Sequence, residues 1–336
     1  MKDILKEEDI IVVAGAGGFI GGHMVQRLLD EGYKNIRAVD NKPIGHWYQR
    51  PAGVEYFQED LKLLESCRKV LEDSAAVFNF AADMGGMGFI EYHKADCMLS
   101  VLINTHLLIA AREFGVKRLF YASSACVYNA DKQKTTDVIA LKEEDAYPAM
   151  PEDGYGWEKL FSERMCNHFD EEFGIKTRVA RYHNVYGPNG TWDGGREKAP
   201  AAISRKIAQA KITGNHEITI WGDGLQTRSF MYIDDCIEGT LKIFQSDCNE
   251  PLNLGSDRLI SVNDLVSIIE SIAGIKVRRN YNLAAPKGVR GRNSDNTRLQ
   301  NTINWVPKVS LEEGLEKTYE WIYNQLLSGK HDISSR

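Results

Sequence analysis

A tyrosine and a lysine four residues apart, Tyr155 and Lys159 in "GYGWEKL", have the types and spacing to take a proton from an alcohol. On a helix that spacing places both side chains on one face. A free tyrosine titrates at about 10, and each unit by which its phenolate is favoured costs about 1.4 kcal/mol. A neighbouring ammonium supplies part of that. Upstream, the run "FYASSACVYN" ends a strand-like stretch in Ser124, whose hydroxyl can hydrogen-bond the same alcohol. Two residues on stands Cys126, whose thiol, at a free pKa of about 8.5, can exchange protons close to neutrality. Most free cysteines are small buried hydrophobes, which is the expectation for Cys97 and Cys166.

Oxidising that alcohol would also need a hydride acceptor, and the amino-terminal end of the chain has the pattern of a dinucleotide site. The apolar run "DIIVVAG" leads into "GAGGFIG", where Gly15, Gly18 and Gly21 enclose Phe19 and Ile20 in a GxxGxxG spacing. Such a turn brings backbone close to a pyrophosphate and aims a helix N-terminus at it. Asp40 ends the next apolar run about 20 residues on, where a carboxylate receives ribose hydroxyls and repels a 2′-phosphate. NAD is expected rather than NADP, although Lys42 stands close by. Asp60 in "QEDL" is placed for the adenine edge. The positive nicotinamide ring adds to the charge that favours a Tyr155 phenolate.

These residues need a rigid frame. Strand-length runs "DIIVVAG", "NIRAVD", "VEYF", "AAVFNFAA", "KRLFYASS" and "TRVARYHN" alternate with helix-period segments such as "IGGHMVQRLLDEGY" and "VLINTHLLIAAREFG". The pattern predicts an α/β chain: a doubly wound parallel (Rossmann) sheet with a smaller C-terminal α/β substrate-binding lobe. The expected division is 1–185 for the NAD-binding domain and 186–330 for the lobe, with segments free to return to the first. The chain has 336 residues, 43% of them hydrophobic and 26% charged, enough for a sizeable core. A net charge of -6 argues against nucleic acid as a partner. The six cysteines lack metal-site spacing, the start is charged, and no apolar run of membrane-spanning length stands out. A cytoplasmic protein without metal, membrane partner or disulfide is expected.

An acidic protein that binds a nucleoside diphosphate must gather cations locally, and Arg228, Arg290, Arg292 and Lys206 are the candidates. The motifs, together with "ADMGGMGF", "YHNVYGPNGTWDGGREKAPAA", "WGDGLQTRSF" and "GVRGRNSDN", resemble the extended short-chain dehydrogenases/reductases, and within them the GDP-mannose 3,5-epimerase family. The resemblance runs from about Ile10 to Ile322. It implies a redox-neutral isomerase that uses NAD to form a 4-keto GDP-hexose and inverts C3 and C5, taking GDP-mannose to GDP-L-galactose or GDP-L-gulose. Tyr155 is then the base at the 4-hydroxyl, Lys159 its supporting cation and Ser124 the orienting group. Cys126 and Lys198 become the acid/base pair at carbon. The resemblance also implies substrate contacts from Gly85, Ala125, Asn184, Glu197, Ala199, Gln226 and Thr227, and a homodimer built on a helix bundle.

Sugar 4,6-dehydratases of this group typically carry an Asp-Glu pair after the serines, and 4-epimerases a Thr; this chain has Ala125 and Cys126. The segment "EYHKADCML", with His93, departs from the plant epimerases and leaves a GDP-manno-heptose open as substrate. The remaining alternatives are an epimerase or dehydratase of another nucleotide sugar and a non-catalytic NAD-binding regulator.

Overall fold

The computed structural model describes residues 1, 4–286 and 288–330. Its centre is a seven-stranded sheet in which every pairing is parallel. The strands β1 (Ile10–Ala14), β2 (Asn35–Asp40), β3 (Glu55–Gln58), β4 (Ser74–Asn79), β5 (Arg118–Ser124) and β6 (Lys176–Tyr182) come from the expected apolar runs. A short seventh strand, Leu252–Leu254, returns from far along the chain to pair with β6. Across the sheet the order is Leu252–Leu254, β6, β5, β4, β1, β2, β3. The direction of winding therefore reverses between β1 and β4, and that reversal opens a crevice at the carboxyl ends of the strands.

Both faces of the sheet are covered, so its strands read as continuous rather than alternating apolar runs. Along β1, Ile11 and Val13 enter one core and Val12 and Ala14 the other, as the two-residue side-chain period of a strand requires. Helices α1 (Phe19–Asp30) and α8 (Ile233–Gln245) pack together over the first face. Helices α2 (Leu64–Leu71), α5 (Val101–Glu113) and α6 (Tyr155–Phe173) cover the other. Each fully buried Val, Leu or Ile in these layers contributes about 1.5–3 kcal/mol.

Two shorter helices, α3 (Met87–Tyr92) and α4 (Lys94–Leu99), lead into α5. Together α4 and α5 make a 20-residue stretch, Lys94–Glu113, long and apolar enough by length and composition to cross a membrane. This departs from the sequence expectation. The stretch packs against α2 and α6, and Ile103, Leu107, Leu108, Ala110 and Ala111 of α5 are buried.

The remaining described residues include three small two- or three-stranded sheets, α7 (Ala199–Thr213), α9 (Val262–Ala273) and a last helix, Leu311–Leu327, packed on α7 and α9. One of the sheets pairs Thr227–Ser229 with Leu259–Ser261 and Gly291–Arg292, which carries two of the candidate arginines. Residues 233–254 leave this lobe to supply α8 and the seventh strand.

Candidate active site

The crevice at the winding reversal is a cavity of about 530 Å³ lined at one end by Gly15, Gly18, Phe19, Ile20, Gly21, Asp40 and Asp60. Gly15 turns the chain at φ 81°, a conformation that favours glycine. At Gly21 a Cβ would come within 2.2 Å of the Gly15 carbonyl oxygen, so α1 can start this close to the turn only without a side chain. The Asp40 carboxylate accepts the Gly17 and Lys42 amide protons, each at 3.0 Å. Burial raises its pKa against those bonds. Lys42 turns its ammonium to the Gly17 carbonyl at 3.2 Å. The glycine cradle, the helix start and an anchored carboxylate at the end of β2 fit the pyrophosphate and ribose of NAD.

The other end of the same cavity is lined by Ser124, Tyr155, Lys159, Lys198 and Gly85. Ser124 ends β5, and its hydroxyl oxygen accepts the Cys126 amide proton at 3.2 Å, closing a 3-10 turn over Ala125–Val127. Ser123, one residue back and on the opposite face, gives its hydroxyl proton to Glu163. That glutamate holds Arg181 through two bonds of 2.7 and 2.9 Å, so a buried ion pair anchors α6 to β5 and β6.

Tyr155 opens α6 and is buried. Burial pushes its phenol well above 10, with Cys126 and Glu158 adding to the rise and a hydrogen bond from Ser124 opposing it. Lys159 lies 5.5 Å from the Tyr155 ring centroid, donates to the Ala122 carbonyl at 3.1 Å and stands 3.7 Å from Glu158. A phenolate here therefore requires more positive charge than Lys159 alone provides.

Lys198 caps the start of α7, and burial lowers its pKa from 10.5 while the nearby Cys126 sulfur works the other way. Its backbone is tied to the "DMGGMG" loop. The Gly86 amide donates to the Arg196 carbonyl at 2.9 Å, and a Cβ on Gly86 would meet the Glu197 carbonyl oxygen at 2.5 Å. The bare backbone at Gly86 thus serves an approach to the chain itself, whereas Gly85 reaches the cavity. Arg196 completes the tie, pairing with Asp83 at 2.7 Å and lying 3.7 Å from the Phe89 ring centroid.

The expected phosphate-binding residues divide. Arg292, buried, does not stand apart as a phosphate ligand: it lies 3.5 Å from the Cys126 sulfur, 3.4 Å from Glu152 and donates to Gln133 at 2.6 Å. Arg228 belongs to the same charged group; burial and the neighbouring Arg292 bring its pKa down to about 10. Gln226 is buried beside it with one amide oxygen unbonded. By contrast, Arg290 is engaged by both oxygens of Asp223 at 3.0 Å, and the Lys206 ammonium donates to the Thr219 carbonyl at 2.6 Å. Glu197 pairs with Arg205 at 3.0 Å, Asn184 donates to the Ser229 carbonyl at 3.1 Å, and the Thr227 hydroxyl donates to Thr136 at 2.5 Å. Ala199 is the first residue of α7.

Sequence reasoning passed over Glu152, which the structure brings against Cys126 and Arg292. Three residues before Tyr155 in "PEDGYG", it reads as an ordinary acidic residue ahead of a helix. It also missed Glu158, buried with its carboxylate on the Tyr121 and Ser162 hydroxyls at 3.1 and 3.0 Å.

Residues 11–255 match the sequence model of the NAD dependent epimerase/dehydratase family. GDP-mannose 3,5-epimerase from Arabidopsis thaliana is 47% identical over 94% of this chain and 82% of its own length. GDP-mannose 3,5-epimerase 1 from Oryza sativa subsp. indica is 49% identical over the same shares. Among solved structures, UDP-glucose 4-epimerase from Thermotoga maritima with UDP-glucose superposes at a TM-score of 0.85, with 28% identity over 94% of this chain and 99% of that one. UDP-glucuronic acid 4-epimerase from Bacillus cereus with UDP-glucuronic acid and NAD gives 0.79 at 28% identity over 94% and 99%. A glycine cradle for NAD and a buried Tyr155–Lys159 pair, joined in one cavity, thus coincide with near-full-length similarity: the chain belongs to the NAD-dependent epimerase/dehydratase family, in its GDP-mannose 3,5-epimerase branch.

Proposed function

We propose that this NAD-dependent epimerase acts on GDP-mannose, inverting C5 and C3 of the sugar through a 4-ketone. The observation that supports this most directly is the pairing of two further acid/base groups with an alcohol base. Lys198 shares the cavity with Ser124, Tyr155 and Lys159, and Cys126 packs in one buried cluster with Tyr155. Exchanging the faces of a 4-ketone requires no further acid or base, whereas inverting a carbon beside it requires two.

Tyr155 takes the proton of the 4-hydroxyl, and Ser124 holds that hydroxyl toward it. NAD, held by the Gly15–Gly21 turn and Asp40, would supply reversible hydride acceptance at C4, which would keep the reaction redox-neutral. The ketone makes the hydrogens on C3 and C5 acidic, because either carbanion is delocalised as an enolate. Cys126 and Lys198 then remove one hydrogen and deliver another from the opposite face. Burial favours the uncharged lysine that such an exchange needs. Arg228 contributes positive charge toward the diphosphate, with Gln226 and Thr227 beside it for the nucleotide.

We also propose a homodimer. Trp157 and Phe161, one helical turn apart on α6, and Met98 and Leu99 on α4 are exposed apolar side chains on helices that pack together.

The deciding experiment is proton NMR of GDP-mannose with the purified enzyme in heavy water. Loss of the C3 and C5 proton signals, with new galacto- and gulo-configured sugars, is the expected outcome. Bound NAD with neither carbon exchanging rules GDP-mannose out as substrate.

A further inference from the structure

We propose that Glu152 is a positioning residue for the carbon proton transfers. Its carboxylate accepts the Cys126 S–H and, with Arg292 on the same sulfur, allows that side chain to stand as either thiol or thiolate. The inference rests on the epimerase reading above and adds a residue to it.

Arg292 bridges the other two groups. The charge of the Glu152 carboxylate favours the protonated Cys126 thiol. The Arg292 guanidinium reaches the sulfur at 3.5 Å and Glu152 at 3.4 and 3.5 Å. All three side chains are largely removed from solvent, with Arg292 7% and Glu152 12% exposed. Backbone fixes the arrangement from both sides. The Glu152 amide donates to the Cys126 carbonyl at 3.0 Å, and the Glu152 carbonyl receives the Gly156 amide at 2.9 Å in the first turn of α6. Arg292 is steadied by Gln133 at 2.6 Å.

Every charged or titratable neighbour of the sulfur takes one side in its protonation. Glu152, before α6, and Tyr155, within it, oppose a thiolate; Arg292 and Arg228 from the second lobe and Lys198 at the head of α7 favour one. Burial comes first, then Glu152, and the thiol is pushed up to about 11 despite Arg292. The Glu152 carboxyl moves the other way: burial alone would raise it, but Arg292 and the Cys126 thiol hold it below its ordinary value. The carboxylate is therefore ionised and the thiol protonated at rest.

A group that exchanges protons with carbon must pass through both forms in one turnover. When Cys126 gives its proton to an enolate carbon, the sulfur keeps the electron pair and faces Arg292. When it takes a proton from carbon, the new S–H finds Glu152 waiting as acceptor. Without Glu152 the thiolate loses the nearest charge that opposes it, and the sulfur rests closer to thiolate.

The test is the pH dependence of iodoacetamide alkylation at Cys126 in the holoenzyme, followed by mass spectrometry of the Cys126 peptide. The wild-type thiol should titrate above the free value of about 8.5. In Glu152→Gln the profile should move to lower pH, raising alkylation at pH 8 by about tenfold or more, one unit of thiol acidity. Glu152→Asp should restore most of the wild-type profile. A Glu152→Gln profile that superposes on wild type overturns the proposal, as does a wild-type thiol that titrates like free cysteine. Should Glu152→Gln not fold, Glu152→Asp carries the test: its shorter reach should leave a small shift to lower pH, and no shift at all overturns the proposal. A normal alkylation shift in an enzyme that leaves GDP-mannose C3 and C5 protons in place separates failure of the substrate reading from failure of this one.

Discussion

Cys126 illustrates how neighbours turn a common residue into a reagent. Buried free cysteines are ordinary packing, and this one also packs with Tyr155, Cys97 and Ile90. What distinguishes it is a carboxylate, two guanidiniums and a lysine within its field. Replacing it with alanine should lower C3 and C5 exchange by about 10²–10⁴-fold, the usual worth of a positioned acid or base. Transient absorbance of reduced cofactor at 340 nm should persist in that variant, since oxidation at C4 does not use the thiol. Loss of both signals would assign Cys126 a structural role. The pair also predicts a pH profile. One member must carry a proton and the other must lack it, whichever begins protonated, so kcat/KM should be bell-shaped. Its acid limb should fall below 10.5, because burial lowers Lys198, and its alkaline limb should approach 11, where Cys126 is held. A profile flat from pH 7 to 11 would count against both groups.

At the scale of elements, the site depends on how closely α6 starts to the turn after β5. A Cβ on Gly156 would meet the Cys126 carbonyl oxygen at 2.4 Å and the Pro151 side chain at 3.0 Å. Backbone cannot yield as a flexible side chain would, so Gly156→Ala should lose about 1–3 kcal/mol of stability. Because it separates Tyr155 from Cys126, kcat should drop more than a loss of stability accounts for; a thermal melt beside steady-state rates compares the two. Deeper in the same layer, Glu163→Gln would strand Arg181 without its carboxylate. Breaking a buried pair from one side costs about 3–5 kcal/mol, readable as a lower urea midpoint with NAD affinity kept where protein remains folded.

For the whole molecule, burial of thiols makes alkaline stability a sharp test. Burial raises Cys67, Cys166 and Cys236 to about 12 and Cys126 to about 11. Between the unfolded value of about 8.5 and those values, the folded chain keeps protons that the unfolded chain gives up. Stability is therefore full below about pH 8.5 and falls as pH rises, by up to about 1.4 kcal/mol per unit for each thiol. Urea midpoints at pH 8 and pH 10 measure this directly, and equal midpoints would mean that the thiols titrate freely. The exposed apolar side chains of α4 and α6 belong to this scale as well. Phe161→Glu should convert a sedimenting dimer to monomer, and an unchanged sedimentation coefficient would exclude α6 from the interface.

The sheet was legible in the sequence because each central strand is buried on both faces, which leaves a continuous apolar run between glycine turns. The NAD end was legible for a related reason: turn, close approach and ribose contact each demand one residue type at a fixed place along a single βαβ unit. Tyr155, Lys159 and Ser124 lie far beyond that unit in the chain and were singled out by their own local spacing, but only the fold sets them on the same cavity. Glu152 was not, because an acid before a helix has many uses and only the fold brings Arg292, 140 residues further on, against it. The seventh strand was hidden for the same reason: three residues, Leu252–Leu254, form a strand only where β6 offers them an edge. Local spacing can state what a residue is able to do. Which charges surround it is decided by contacts between distant segments, and those exist only once the chain has folded.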